Sequence, residues 1–368
     1  MTKKTPKAER LTSDGATGDG KAGDATIAAP SSSIAAPSSL VTQHTTLSPQ
    51  HSTLPLVIVN PASAGGATKR AWPRLASDLR AHFGAFNCAF TERAGDGREI
   101  AEREARAGRR LIIACGGDGT ISEVANGIIE SGVADAELGI LPSGTGGDFR
   151  RTLNIPARAA DAAAALRTGR SMSVDVGRVE FQNRAGARER RYFLNVASCG
   201  MGGEVIRRVE ENSTGWLSSA SRRIGGGQLS YALASLQTTV AFTNQTLRIQ
   251  LDDRPEFQLI VANLCVANGR YFGGGMKIAP EAILDDELFD IVAVGDLGTL
   301  EILTNVYKLY LGTHLGMQKV RHAHARRIRV SAAASADEEV LVEIDGELLG
   351  TLPATFEILP RRLRVRCP

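Results

Sequence analysis

Residues 116–120 read Gly-Gly-Asp-Gly-Thr, directly behind the apolar run Leu111-Ile112-Ile113-Ala114-Cys115. A short buried strand that stops in glycines exposes backbone N–H groups at its carboxyl end, where open α/β sheets bind ligands. Without a Cβ in the way, a phosphate can sit against the main chain there. The next segment, Ile121 to Ile129, has helical periodicity and would aim the positive end of a helix dipole at the same spot. Asp118, inside this positive nest, is suited to a nucleotide hydroxyl or a magnesium ion. Stripped of that chemistry, the pentapeptide is a glycine-rich β–α turn with a solvated aspartate.

Two more small-residue loops follow short apolar runs. Leu56-Val57-Ile58-Val59 ends in Asn60 to Gly66, and Leu138-Gly139-Ile140-Leu141 runs into Pro142 to Asp148. Helices are expected over about 68–83, 98–107 and 157–168, with a further strand ending near Thr91. Strands alternating with helices predict a parallel sheet with right-handed crossovers, so that all three loops share one rim. After Gly169 the pattern changes. Segments 173–181, 191–197, 246–251, 257–267, 288–294, 326–330 and 340–344 read as strands, and only 230–240 and 299–311 as helices. That predicts a β-sandwich second domain, with the active site in the cleft between the domains. Asp345-Gly346-Glu347 carries a hairpin-turn signal as well as a carboxylate suited to chemistry.

Composition narrows the class. The chain has 368 residues, 43% of them hydrophobic, and a net charge of +3. Residues 1–53, rich in Ser, Thr, Ala, Gly and Lys, are expected to be a disordered tail, without the apolar core of a secretory signal. Size then suggests two domains: an ATP-binding α/β domain over 54–170, and a β-sandwich over 171–357, with a last strand at about 358–368 returning to the first. No run reaches the roughly 18 to 20 apolar residues of a transmembrane span. Five scattered cysteines without metal-type spacing read as buried thiols in a reducing cytoplasm. Basic clusters at 222–223, 319–329 and 361–366 read as solvated faces or as attraction to an anionic bilayer. Nucleic acid is disfavoured, since no basic motif is interleaved with aromatics. His314, His322 and His324 share one stretch but lack partner spacing, and read as surface residues. A P-loop is absent, as is a Gly-x-Ser-x-Gly nucleophile elbow.

In combination the motifs are specific. They are Asn60-Pro61-x-Ser63, Gly116-Gly117-Asp118-Gly119-Thr120, Leu141-Pro142-x-Gly144-Thr145-x-x-Asp148-Phe149, Asn268-Gly269-x-x-Phe272-Gly273-Gly274-Gly275, Asp285-Asp286 before Leu288-Phe289-Asp290, and Asp345-Gly346-Glu347. From Leu56 to Pro368 the chain resembles the diacylglycerol kinase catalytic superfamily, above all its bacterial YegS-like lipid kinases, relatives of sphingosine and ceramide kinases. The resemblance implies a phosphofructokinase-like α/β domain, a β-sandwich, and transfer of the γ-phosphate of ATP, with Mg2+, to a lipid hydroxyl. It implies that Asn60, Pro61, Ala62, Ser63, Ala64, Thr91, Gly116, Gly117, Asp118, Gly119, Thr120, Ile121, Ser122 and Thr145 hold ATP. It further implies that Asn126, Asp148 and Arg151 line the substrate cleft, and that Glu347 accepts the proton of the attacking hydroxyl, with Asp118 as its catalytic companion. A structural Mg2+ would take Asp286 and backbone carbonyls at or near Ile283 and Leu288.

Phosphoryl transfer independently requires this inventory, because positioning and charge neutralisation dominate its catalysis. Three positions depart from the family pattern. Ala64 stands where glycine is usual, Gly147 replaces an asparagine before Asp148, and Glu287 follows the aspartate pair where glycine is usual. If position 287 needs φ > 0, Glu is strained there. The alternatives are a soluble-substrate kinase of the NAD kinase type, which shares the Gly-Gly-Asp-Gly-Thr loop, and a non-catalytic lipid- or nucleotide-binding relative. The expected setting is the cytoplasm, with peripheral membrane contact during turnover. The acceptor lipid and the oligomeric state, including a homodimer, stay open.

Overall fold

All four residues of Leu56–Val59 are buried, as are all six of Leu111–Gly116. Strands buried on both faces belong between two layers of helices, and here they are. The computed structural model describes residues 54–144, 147–214, 242–333 and 339–368. The elements in its first part are β1 (Leu56–Val59), α1 (Ser63–His82), β2 (Asn87–Phe90), α2 (Asp96–Arg106), β3 (Leu111–Gly116), α3 (Asp118–Ser131), β4 (Glu137–Pro142), α4 (Asp148–Thr152) and α5 (Ala159–Thr168). Strands β2, β1, β3 and β4 form a parallel sheet in that order.

The remainder is mostly β: β5 (Arg170–Asn183), β6 (Arg188–Phe193), β7 (Val196–Gly200), α6 (Met201–Thr214), β8 (Gln245–Leu251), β9 (Phe257–Val261), β10 (Asn263–Ala267), β11 (Phe289–Val294), α7 (Thr299–Leu311), β12 (Val320–Ala325), β13 (Arg327–Ala332), β14 (Leu341–Ile344) and β15 (Glu347–Cys367). An N-terminal α/β domain thus precedes a C-terminal β-sandwich domain. One core gathers around β1, β3, β4 and the helices. A second, with Phe193 stacked on Phe289 at 5.5 Å, fills the sandwich. Strand β15 joins them. It forms a hairpin with β14, runs antiparallel to β13 and β5, and ends parallel to β4 through Arg364 and Val365.

Several expectations need correction. The single strand expected over 191–197 is two, broken at Leu194 and Asn195, whose N–H groups bond a side-chain carboxylate instead of a neighbouring strand. The 257–267 strand is broken at Ala262, whose N–H turns to Val294. The basic stretch 319–329 spans β12 and the first half of β13: its arginines lie on the exposed face, as a solvated face requires, and Val320, Ala325 and Ile328 are buried between them. Arg364 and Arg366 both pair with Glu137. Helix α6 and the one-turn α4 escape a periodicity search. Of the cysteines, Cys115, Cys199 and Cys265 are buried, but Cys88 is exposed and Cys367 half-buried. The helix read over 230–240, the Arg222-Arg223 pair, the tail 1–53 and Thr145 lie outside the described residues. Among the described residues no helix is long and apolar enough to cross a membrane.

Helices α2 and α3 meet at Gly127, where an added Cβ would lie 2.2 Å from the Arg98 carbonyl oxygen and 2.8 Å from Ala101 Cβ. Two backbones can approach that closely only over glycine. Because the obstacle is main chain, Gly127→Ala is expected to cost about 1–3 kcal/mol of stability by forcing the helices apart. A urea-unfolding midpoint unchanged in this variant would contradict the packing.

Candidate active site

The parallel register brings three strand ends level. Val59 pairs with Cys115, Cys115 with Leu141, and Gly116 with Pro142. Backbone bonds continue past the strands: Asn60 N–H to the Cys115 carbonyl at 3.0 Å and Ser143 N–H to the Gly116 carbonyl at 3.2 Å. Side chains then stitch the loops together. Asn60 Nδ2 donates to Thr120 Oγ1 at 3.1 Å, and Ser63 Oγ and Thr68 Oγ1 both donate to the Ser143 carbonyl. Asn60 Oδ1 accepts from Ala62 N–H, which turns the chain after Pro61. Ala64 takes φ +53°, continuing into Gly65 and Gly66 with positive φ, before α1 becomes regular. Thr91, at the end of β2, is buried and bonded to β1.

The glycine loop lies at the centre. Gly144 packs so tightly on it that an added Cβ would stand 2.9 Å from Gly117 Cα. A small cavity opens here, lined by Gly116, Gly117, Gly144, Gly147 and Arg150. Gly117 caps α3, Asp118 is its first residue, and Ile121 and Ser122 continue it. Asp118 Oδ2 accepts N–H bonds from Gly147 at 2.6 Å and Asp148 at 3.3 Å. Its Oδ1 is buried with no hydrogen-bond partner among the described residues. A buried carboxylate oxygen left bare at a helix amino terminus, beside a glycine-lined cavity, fits a cation or a donor group of a ligand.

Asp148 is buried, bonded to Arg151 Nη1 at 2.5 Å and to Gly274 N–H at 2.8 Å. Burial pushes its carboxyl up, with Asp118 adding a like charge, against the pull of Gly274 and Arg151. The motif that ends in Phe272-Gly273-Gly274-Gly275 therefore reaches the site through Gly274, while Asn268 Nδ2 serves the carbonyls of Asp175 and Leu194. Asn126 does not face the loops. Its amide is buried and spans the Tyr192 main chain, donating to its carbonyl and accepting from its N–H. Sequence reading passed over Arg150, because Arg151 stands at the motif position. Yet Arg150 lines the cavity and Arg151 is engaged by Asp148.

Glu347 arrives from the sandwich. An added Cβ on Gly119 would lie 3.2 Å from Glu347 Oε1, so the two motifs meet. The hairpin that carries Glu347 has positive φ at Asp345 and Gly346. Asp345 holds it in place: its carboxylate accepts N–H bonds from Leu194, Asn195 and Val196 at 3.0, 3.0 and 3.2 Å. Glu343 adds bonds from Ser198 Oγ and Gly346 N–H, both at 2.6 Å. These two carboxylates are committed to structure; Glu347 is exposed.

The loop before β11 is a second carboxylate site. Leu288 N–H bonds Asp286 Oδ1 at 3.1 Å, and Glu287 N–H bonds Asp175 Oδ2 at 2.6 Å. Glu287 does take φ +65°, the conformation glycine would adopt freely. Its side chain pairs with Arg326 at 2.9 Å. Ile283 is exposed at the loop's start. Burial raises the Asp286 carboxyl, and Asp290 and Asp175 raise it further as like charges. Such crowding favours a bound cation. The reading of the late histidines as surface residues holds for the exposed His324, fits the half-buried His322 in part, and is corrected for His314. His314 is buried and bonded to the Ile278 carbonyl, and His322 and His324 close on Asp290.

Two family models divide the chain. One describes the diacylglycerol kinase catalytic domain and matches residues 55–179. The other describes the YegS C-terminal NAD kinase β-sandwich-like domain and matches 208–367. The diacylglycerol kinase of Staphylococcus haemolyticus (strain JCSC1435) is 30% identical over 313 residues, 85% of this chain and 87% of the relative. The chain belongs to the diacylglycerol kinase family. A second member, the diacylglycerol kinase of Staphylococcus carnosus (strain TM300), is 28% identical over 85% of this chain and 94% of its own. The fold is shared with the crystal structure of a diacylglycerol kinase from Bacillus anthracis str. Sterne. That structure is 24% identical with a TM-score of 0.61, over 86% of this chain and 97% of that one.

Burial drives the Asp345 carboxyl up to about 7, against the pull of its three N–H donors and with help from the nearby Glu343 charge. A carboxyl raised above the ordinary value of about 3.9 binds its proton more tightly in the folded state. Its contribution to stability is complete below about pH 4 and lost as pH rises through about 7. The stability of the native protein relative to Asp345→Asn should therefore fall between pH 5 and pH 8 in paired urea titrations. Parallel pH profiles would show that Asp345 is ionised throughout.

Proposed function

We propose that this chain transfers the γ-phosphate of ATP, in the presence of Mg2+, to a hydroxyl of a lipid such as diacylglycerol. The observation that carries this reading is the approach of Glu347 to Gly119, beside the bare Oδ1 of Asp118. Glu347 takes the proton of the lipid hydroxyl as its oxygen bonds to the γ-phosphorus and the bond to the β-phosphate oxygen breaks. The backbone N–H groups of Gly116 to Gly119, the α3 amino terminus and Arg150 hold phosphate. The Asn60–Ala64 loop, Thr91 and Thr145 complete the nucleotide site, and Asp148 with Arg151 borders the lipid cleft between the two domains. Bound magnesium would supply charge neutralisation, with Asp118 the residue suited to hold the nucleotide's ion. Asp286 and the carbonyls near Ile283 and Leu288 suit a second, structural ion.

A route for the lipid is supported by α7. Leu300, Leu303, Tyr307, Tyr310 and Leu311 recur at helical spacing on one face, and all are exposed. The opposite side bears Leu309, which packs on the protein. Lys277 N–H bonds the Leu309 carbonyl, and two residues before it Gly275 lies against Arg151. The helix is thus anchored beside the cleft rim with its apolar face turned outward, where a lipid drawn from a bilayer would approach. Tyrosines among leucines suit the interfacial layer of a membrane.

Radiolabelled ATP, Mg2+ and a panel of lipids in mixed micelles test the reaction. The native protein should label a lipid, and Glu347→Ala should lose about 10²–10⁴-fold in rate while still binding ATP. Label that enters only NAD or another soluble acceptor would overturn the lipid assignment. Binding of ATP without transfer to any acceptor would reduce the chain to a binding protein. Separately, Leu303→Glu with Tyr307→Glu should lower co-sedimentation with anionic vesicles at least tenfold and leave turnover of a short-chain soluble lipid intact. Unchanged sedimentation would remove α7 from the membrane contact.

A further inference from the structure

Strand β12 reads Val-Arg-His-Ala-His-Ala over 320–325. Alternation puts His322 and His324 on one face of the strand. The antiparallel register sets His324 opposite Asp290 of β11 and His322 opposite Val292. Both rings consequently reach the same carboxylate. His322 Nε2 lies 2.9 Å and His324 Nε2 3.4 Å from Asp290 Oδ1, with the ring centroids 4.7 Å apart. All three donor atoms fall within 4.8 Å of one another. A tetrahedral ion with bonds of about 2.0–2.1 Å spaces its ligands about 3.3 Å apart, close to what is already built.

An aspartate–histidine hydrogen bond needs one imidazole. The second, aimed at the same oxygen, is what a metal site would require. We propose that Asp290, His322 and His324 form a site for a zinc-like divalent cation, with water completing its coordination. Two imidazoles and a carboxylate suit zinc and its neighbours, whereas magnesium selects oxygen ligands. Asp290 is buried, so the carboxylate is fixed, and His324 is 48% exposed, which leaves an entry path. The Asp286 charge lies close enough to Asp290 and His324 to raise the local attraction for a cation. Occupied, the site joins β12, the last strand on its side of the described sheet, to β11 just behind the 283–288 loop.

Cobalt(II), whose visible absorption reports nitrogen and oxygen ligation, is the probe, titrated into tag-free, chelator-stripped full-length protein. One equivalent should bind with an intense visible band that zinc displaces and millimolar magnesium does not. His324→Ala and His322→Gln should each weaken binding about tenfold or more, with circular dichroism confirming the fold. No stoichiometric band, or equal affinity in both variants, overturns the site. Should a variant unfold, the imidazole resonances of the native protein decide: zinc must shift those of both His322 and His324. Zinc binding that leaves either unmoved refutes the proposal.

Discussion

The Asp345 carboxylate is the tie on which the site depends. It intercepts the N–H groups of three successive residues where β6 gives way to β7, and so fixes the β14–β15 turn to that break, beside which β14 already pairs with β7. A carboxyl desolvated this far is costly unless its hydrogen bonds are nearly complete. The arrangement therefore tolerates little drift. Two residues later Glu347 inherits that rigidity, although it is itself exposed. Glu343 reinforces the turn from within β14, so two carboxylates hold the hairpin.

Around the glycine loop the same economy recurs with backbone instead of charge. Gly144 and Gly117 nearly touch, and Asp118 spends one oxygen on the next loop's N–H groups while the other stays bare. One carboxylate thereby aligns two loops and keeps a buried oxygen without a partner among the described residues. The left-handed backbone at Ala64 and Glu287 shows the cost of loop geometry without glycine. At Glu287 the Asp175 carboxylate and the Arg326 guanidinium offset part of that cost.

The α/β half was largely legible in the sequence, since β1, β3 and β4 are apolar runs that stop in glycine or proline and their helices have clear periodicity. The sandwich was legible in kind but not in detail. Strand ends there are set by side chains distant in sequence, as Asp345 does at Leu194, and no local pattern announces that. Arg150 and Arg151 are adjacent and alike, and only the Asp148 ion pair separates their environments. The grouping of the histidines was not legible because their spacing alone names no partner. Once the stretch is a strand, His322 and His324 share a face, but Asp290 joins them only through register.

Strand β15 is paired along its length to β14, β13, β5 and finally β4, which makes the two halves a single continuous sheet. During synthesis, β4 emerges long before the residues that cover its edge. The ribosome-bound α/β half therefore carries an open, apolar strand through the making of the entire sandwich. Unpaired edges of this kind recruit other chains. Folding of this protein is thus a wait for its last strand, and a chaperone that shields β4 in that interval would guard the step at which assembly is most exposed.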